Sequence, residues 1–321
     1  MKISVDGGAL NLKSSQRFGT AVFSENLIRS LQLYDDQNIY HIYTFKNLKP
    51  KIFWMKGRVS LEEIKENKDI FLALNQALPL YTSGKIINFC HGLSYHFFPK
   101  YYPEKYRARL NRQLNEMIKR SDKIIVSSQK VKKEITSMYP DIEKKVVILP
   151  FGIPYDMLTH QIHKDKDRYF LFVANNQKIK NADFVVDSFI RSKLHDQGYK
   201  LYMIGDWKNH ENIDKGIVSL GSVSRKKLST LYQKATALLT SSYYESFNFP
   251  VLEALSQSCP VIGLKSAIIP ELKSYVNVAT NSQEFVDFMK KITKKPDVQS
   301  INRLYKNFNW KKYVKNLVKL Y

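Results

Sequence analysis

Residues 241–264 read SSYYESFNFPVLEALSQSCPVIGL and place two acids, Glu245 and Glu253, on either side of Pro250. Proline is tolerated in the first turn of a helix, where its missing N–H would have had no partner. Pro250 therefore marks a helix start, with Glu245 to Phe249 as the loop before it and Glu253 about one turn inside. Unpaired N–H groups at a helix start, together with the helix dipole, favour an anion such as a diphosphate. Two carboxylates beside that anion would repel it, so each should face a neutral, hydroxyl-rich group: a sugar for one and a ribose for the other. The structural alternative is an exposed loop acid and a helix-start acid that merely complements the dipole.

The elements that must hold this loop are legible as alternation. Short apolar runs (2–5, 39–45, 85–90, 123–128, 146–150) alternate with helix-period segments (18–33, 104–119, 129–138) through the first half of the chain. After PFGIP (150–154) and a charged stretch, strands at 169–174, 200–205, 237–242 and 261–264 alternate with helices at 181–194, 224–235 and after Pro250. Ser224 reads as an N-cap. Such alternation predicts an α/β fold with parallel sheets covered on both faces. Two doubly wound Rossmann-like domains are expected, at 1–155 and 156–298, facing across a cleft, with ligands at the carboxyl ends of the strands. A single amphipathic helix is expected over 300–321, packing its apolar side back on the first domain as the segment 299–321.

Composition narrows the class. The 321 residues are 44% hydrophobic and 25% charged, the balance of a globular protein with room for two cores. No run approaches the eighteen or so apolar residues of a spanning helix, and MKISVDGG leads straight into a strand, so a cytoplasmic location is expected. Cys90 and Cys259 are too few and too far apart for a disulfide framework or a metal cluster. Lysine and arginine number 51 against 29 aspartates and glutamates, a net charge of +22 whose field draws phosphates, nucleic acid or anionic lipid without choosing among them. His91 ends a strand beside Cys90 and reads as a site residue. Asp165 and Asp167 precede a strand inside a charged linker and read as solvated, with no metal expected.

ESFNFPVLEALSQSCPVIGLKSAIIPEL resembles the E-x7-E signature of retaining, family 4 type glycosyltransferases of the GT-B fold, including the later Pro270 and Glu271. FVANNQKIKNADFVVDSF is similar to that family's strand, phosphate-binding Lys loop and helix. LYMIGD is similar to its strand ending in Gly-Asp, LGSVSRKKLSTLYQKA to its nucleobase loop, and HGLSYHFFPKYYP to its loop after a strand that opens on His. The resemblance is strongest over 169–272 and looser before 150. It implies that Glu253 binds ribose hydroxyls and Glu245 the donor sugar, while Lys180 and the backbone at Ser246, Phe247, Asn248 and Phe249 hold the diphosphate. His91 would position the sugar, so His91, Glu245 and Lys180 are the catalytic candidates. Gly7, Gly8, Gly19, Asn175, Gly205, Asp206, Ser222 and Val223 complete the donor site.

The resemblance also implies transfer of a hexose, with retention, from a UDP- or GDP-linked sugar to a glycan, lipopolysaccharide or lipid-linked acceptor. No cofactor is implied, since the nucleotide diphosphate sugar is a substrate, and no metal, since a lysine and oriented N–H groups stabilise the leaving diphosphate. The sequence departs from the family at Asn175, where an arginine is usual, and at Ser246 and Asn248, where glycines are usual; asparagine tolerates positive φ and can keep the loop's shape. A GT-B sugar-nucleotide epimerase and a polyanion or nucleic-acid binder are the alternatives, though no specific nucleic acid is expected. The basic amphipathic segment 104–120 could meet an anionic membrane carrying the acceptor, and a solvated helix face is its structural alternative.

Overall fold

The computed structural model describes residues 1–11, 19–48, 53–158 and 166–321. Two compact units share the chain: one comprises Met1–Gly152 with Asn309–Tyr321, the other Ile153–Phe308.

In the first unit β1 (Lys2–Asp6), β2 (Ile39–Tyr43), β3 (Ile70–Ala73), β4 (Lys85–Cys90), β5 (Lys123–Val126) and β6 (Val146–Ile148) form a sheet in the order β2-β1-β3-β4-β5-β6. All its pairings are parallel. The strands read as apolar runs because helices cover both faces. These helices are α1 (Gly19–Tyr34), α2 (Ser60–Lys65), α3 (Ser94–Phe97), α4 (Glu104–Arg120) and α5 (Gln129–Met138). Strand β3 lies between β1 and β4 in a stretch that the alternation pattern does not resolve.

The second unit arranges β7 (Tyr169–Val173), β8 (Lys200–Ile204), β9 (Ile217–Gly221), β10 (Ala237–Thr240), β11 (Val261–Leu264) and β12 (Asn277–Ala279) as β12-β11-β10-β7-β8-β9, again parallel throughout. Its helices are α6 (Ala182–Ser192), α7 (Arg225–Lys234), α8 (Phe249–Ser256), α9 (Ser282–Lys290) and α10 (Val298–Asn307). A core of Phe170, Phe172, Val185, Phe189, Trp207, Leu239 and Phe285 lies between the sheet and α6 and α9. Both sheets are α/β and doubly wound, the architecture the alternation predicts.

One expectation is corrected. Residues 300–321 are not a single helix: α10 ends at Asn307, and α11 (Trp310–Val318) begins after Asn309, whose side chain accepts from the Lys312 N–H. The apolar spacing runs on across the break, but an asparagine N-cap starts a new helix because it satisfies a first-turn donor that has no partner within the helix. Only α11 belongs with the first unit, where it packs on α1. Trp310 and Tyr313 meet Phe23 there at ring separations of 6.1 and 6.3 Å. A Cβ on Gly152 would stand 2.5 Å from the Trp310 ring, so the indole needs a glycine beneath it.

Candidate functional site

Strand order locates the site in the second unit. The chain leaves β7 toward β8 and β9, and leaves β10 toward β11 and β12, so the two adjacent central strands send their following loops apart. A crevice opens at such a switch point beyond the carboxyl ends of the strands. The loops after β7 and β10 meet there and are laced together. Tyr243 N–H donates to the Ile179 carbonyl (3.0 Å), and Ser241 Oγ donates to the carbonyls of Lys180 (3.1 Å) and Asn181 (2.8 Å). Asn181, at φ +55°, closes the short 3-10 turn Lys178–Lys180 and opens α6. This lacing brings Lys180 Nζ to 2.7 Å from Glu245 Oε1, which also accepts from Ser242 Oγ at 2.7 Å.

Glu253 is 2% exposed on α8. Pro250 occupies the first turn of that helix, and Asn248 precedes it at φ +68° with its amide donating to Thr240 Oγ1 (3.2 Å) and the Ala267 carbonyl (3.1 Å). Asn248 thus supplies the left-handed residue where the related pattern has glycine, whereas Ser246 has no positive φ. The expectation of several free amides is narrowed: Pro250 has none, and Val251 N–H already bonds the Asn248 carbonyl at 3.1 Å. Phe247 and Phe249 bury their rings against each other, 5.4 Å apart, so only their backbone can face a ligand.

Both acids have cationic partners, which the sequence by itself does not reveal. Glu253 Oε1 accepts from Arg225 Nη2 at 2.8 Å and Oε2 from the Tyr232 hydroxyl at 3.3 Å. The same guanidinium grips Asp156 through Nε (2.8 Å) and Nη2 (2.9 Å). Burial first, then Glu253, pushes the Tyr232 phenol well up, so it is a neutral donor. Ser224 caps α7 as expected, accepting from Lys227 N–H at 3.2 Å. That cap and the seven-residue spacing, two helical turns, put Arg225 and Tyr232 on one face.

The remaining donor candidates lie along the same edge. Asn175 follows β7, and its buried Oδ1 has no hydrogen-bond partner among the described residues. Gly205 follows β8 at φ +124°, where a Cβ would stand 2.1 Å from the Ala174 carbonyl oxygen. Its N–H bonds the Gly221 carbonyl (3.0 Å), so packing between strand ends already accounts for the glycine. Asp206 and Ser222 are exposed and Val223 is half-buried. Ser222 and Val223 follow β9, two strands from β7, and lead into α7, whose Arg225 turns back to Glu253.

In the first unit the switch point lies between β1 and β3. Gly7 N–H donates to the Tyr43 carbonyl (2.8 Å), and a Cβ on Gly7 would stand 2.7 Å from that oxygen. Gly8 N–H donates to Asp6 Oδ1 (3.0 Å). The amides of both glycines, expected in the donor site, are thus engaged with their own chain. Gly19 is exposed and opens α1; residues 12–18 of that loop, like Asp165, lie outside the described residues. Asp6, which is not among the sequence candidates, is 2% exposed; burial raises its pKa from the ordinary 3.8, against hydrogen bonds from Gly8 and Asn75. His91 follows β4 with Nε2 2.6 Å from the Leu74 carbonyl oxygen and its ring edge-on to Phe23. Burial lowers its pKa below 6.5, and because a carbonyl only accepts, Nε2 carries the proton and Nδ1 is left as an acceptor. No group of three or more His, Cys, Asp or Glu residues that could hold a metal ion occurs among the described residues. Nor is any described helix long and apolar enough to cross a membrane.

Residues 159–308, just under half of the chain, match the family described as "Glycosyl transferases group 1". The O-antigen chain mannosyltransferase RfbU of Salmonella typhimurium is 25% identical over 249 residues, covering 73% of this chain and 65% of that protein. A probable sucrose-phosphate synthase of Thermosipho melanesiensis is 24% identical over 251 residues, covering 68% and 58%. The chain therefore spans less than two thirds of the length of these relatives. Among solved structures, the lipopolysaccharide outer core galactosyltransferase WaaB in its apo form matches with a TM-score of 0.66 at 17% identity over 99% of both chains. Anabaena Alr3699/HepE, in complex with UDP and glucose, matches with a TM-score of 0.68 at 13% identity over 99% of this chain and 98% of that one. The fold is GT-B.

Proposed function

We propose that the protein is a retaining hexosyltransferase that takes its sugar from a nucleoside diphosphate donor and passes it to a glycan or lipid-linked acceptor without a metal. The observation that carries this reading is the meeting of Lys180 and Glu245 at the switch point between β7 and β10, with Glu253 on the helix that begins after the same loop. An approaching diphosphate competes with Glu245 for Lys180, because it offers more negative charge to the same ammonium group. Binding then frees Glu245 to accept from sugar hydroxyls. Lys180 stabilises the charge that develops on the departing nucleotide, the part of the reaction where preorganised positive groups contribute most. Glu253 accepts from ribose hydroxyls, and neutral His91 offers Nδ1 as an acceptor to the sugar.

The test offers UDP- and GDP-linked hexoses with a panel of saccharide and lipid-linked acceptors, and follows nucleotide release and product configuration by NMR. Release that depends on acceptor, with the anomeric configuration of the donor kept and with loss of activity in Glu245→Ala and Glu253→Ala, is the expected result. Turnover without acceptor would point instead to an epimerase. Unchanged turnover in both variants would remove the reading, as would an absence of turnover beside salt-steep binding to DNA or heparin.

A further inference from the structure

The group joining α7, α8 and the short 3-10 turn Tyr155–Met157 is more elaborate than ligand binding by Glu253 alone requires. Arg225 Nη2 bridges Asp156 and Glu253, Nε holds Asp156 a second time, and Nη1 has no partner among the described residues. The turn that carries Asp156 is itself fastened to α8. The Met157 carbonyl accepts from Gln257 Nε2 (2.7 Å) and Ser256 Oγ (3.2 Å), one turn beyond Glu253. The connections therefore close a ring: Glu253 to Arg225, Arg225 to Asp156, Asp156 through its turn to Ser256 and Gln257, and back along the helix. Side chains in a ring with every joint hydrogen-bonded have little freedom to rotate.

We infer that Arg225, anchored by Asp156, is the positioning residue that holds Glu253 aimed at a vicinal diol of the nucleotide. The inference rests on the proposed donor site. The Arg225 guanidinium occupies one lone pair of Oε1, and the Tyr232 hydroxyl occupies one of Oε2. One lone pair on each oxygen remains, the pattern that suits two adjacent hydroxyls. The charged and titratable groups facing Glu253 are Arg225 and Tyr232 from α7, with Asp156 behind Arg225; Cys259 lies beyond Tyr232, its thiol pushed by burial up to about 12 and so uncharged.

The test is calorimetric titration of the intact protein with UDP, GDP and ADP, and then with the 2′,3′-dideoxy analogue of whichever binds most tightly. Wild type should prefer the parent nucleotide by about tenfold or more. Arg225→Ala should narrow that preference to about twofold. Asp156→Asn keeps the guanidinium but loosens its anchor, so it should fall between the two; it also carries the test if Arg225→Ala fails to fold. Full preference in both variants overturns the inference alone. A wild type that binds no nucleoside diphosphate overturns the donor-site reading, and this inference with it.

Discussion

The two sheets share an architecture and differ in how their carboxyl edges handle charge. Near the second sheet's edge three acids are paired with cations: Glu245 with Lys180, and Glu253 and Asp156 with Arg225. At the first sheet's edge burial shifts Asp6 and His91 toward their uncharged forms, raising the carboxyl of Asp6 and lowering the imidazole of His91. Paired charges suit a ligand that brings its own charge, because a diphosphate can exchange places with Glu245 on Lys180. The difference teaches that a doubly wound sheet sets where a site lies, while loop residues decide which chemistry it can hold.

The comparison breaks most visibly through activity. Glu245→Ala or Glu253→Ala should lower turnover by roughly 10³-fold with the circular dichroism spectrum unchanged, whereas His91→Ala, at the first sheet's edge, should cost roughly 10- to 100-fold and leave nucleotide affinity intact. Equal losses of nucleotide affinity in all three would erase the distinction. Next in size is the loop before α8. Asn248→Ala forces a Cβ-bearing residue without a local hydrogen bond to hold φ +68° and removes the bonds to Thr240 and Ala267, a loss of about 2–4 kcal/mol in denaturant titrations. Asn248→Gly should recover about half of that, since it relieves the backbone but not the lost bonds.

A smaller effect concerns Asp6 at the first sheet's edge. The folded state binds the Asp6 proton more tightly than the unfolded chain does, so this group's contribution to stability falls as pH rises from about 4 through its raised value. Asp6→Asn keeps an acceptor for Gly8 N–H but turns an NH2 toward Asn75 Nδ2, so its expected mark is a flatter dependence of the melting temperature on pH above about 4; an unchanged pH profile would show that this carboxyl makes no such contribution. The smallest effect concerns α4. Lys105, Arg109, Arg112 and Lys119 form an exposed stripe at helical spacing, while Glu116 in the same row is engaged by Lys56 and Arg120. If that stripe meets the membrane of a lipid-linked acceptor, flotation with phosphatidylglycerol vesicles should fall severalfold when two of its cations become glutamate. Flotation that does not depend on anionic lipid would remove the contact.

The fold is largely legible in the sequence because buried parallel strands must be apolar without alternation, as YFLFVA and KLYMIG are, and because Pro250 and Ser224 announce helix starts in single residues. The break at Asn309 is hidden by Leu304, Phe308, Trp310 and Tyr313, whose spacing continues across it. Lys180 and Glu245 can be placed in neighbouring loops, since both follow central strands. Their pairing, and the bridge from Arg225 across 69 residues to Asp156 and 28 to Glu253, cannot, because such contacts are made only when the strands are ordered in the sheet. Asp6 stays hidden for the same reason: its partner Asn75 comes from the loop after β3, not from its own neighbours in sequence.

The most direct measurement of the central claim is a pair of titrations, nucleoside diphosphate and plain nucleoside, against wild type and Lys180→Met. The account predicts that the variant loses about 30-fold or more in affinity for the diphosphate and about twofold or less for the nucleoside. Equal affinity of wild type and variant for the diphosphate would contradict it.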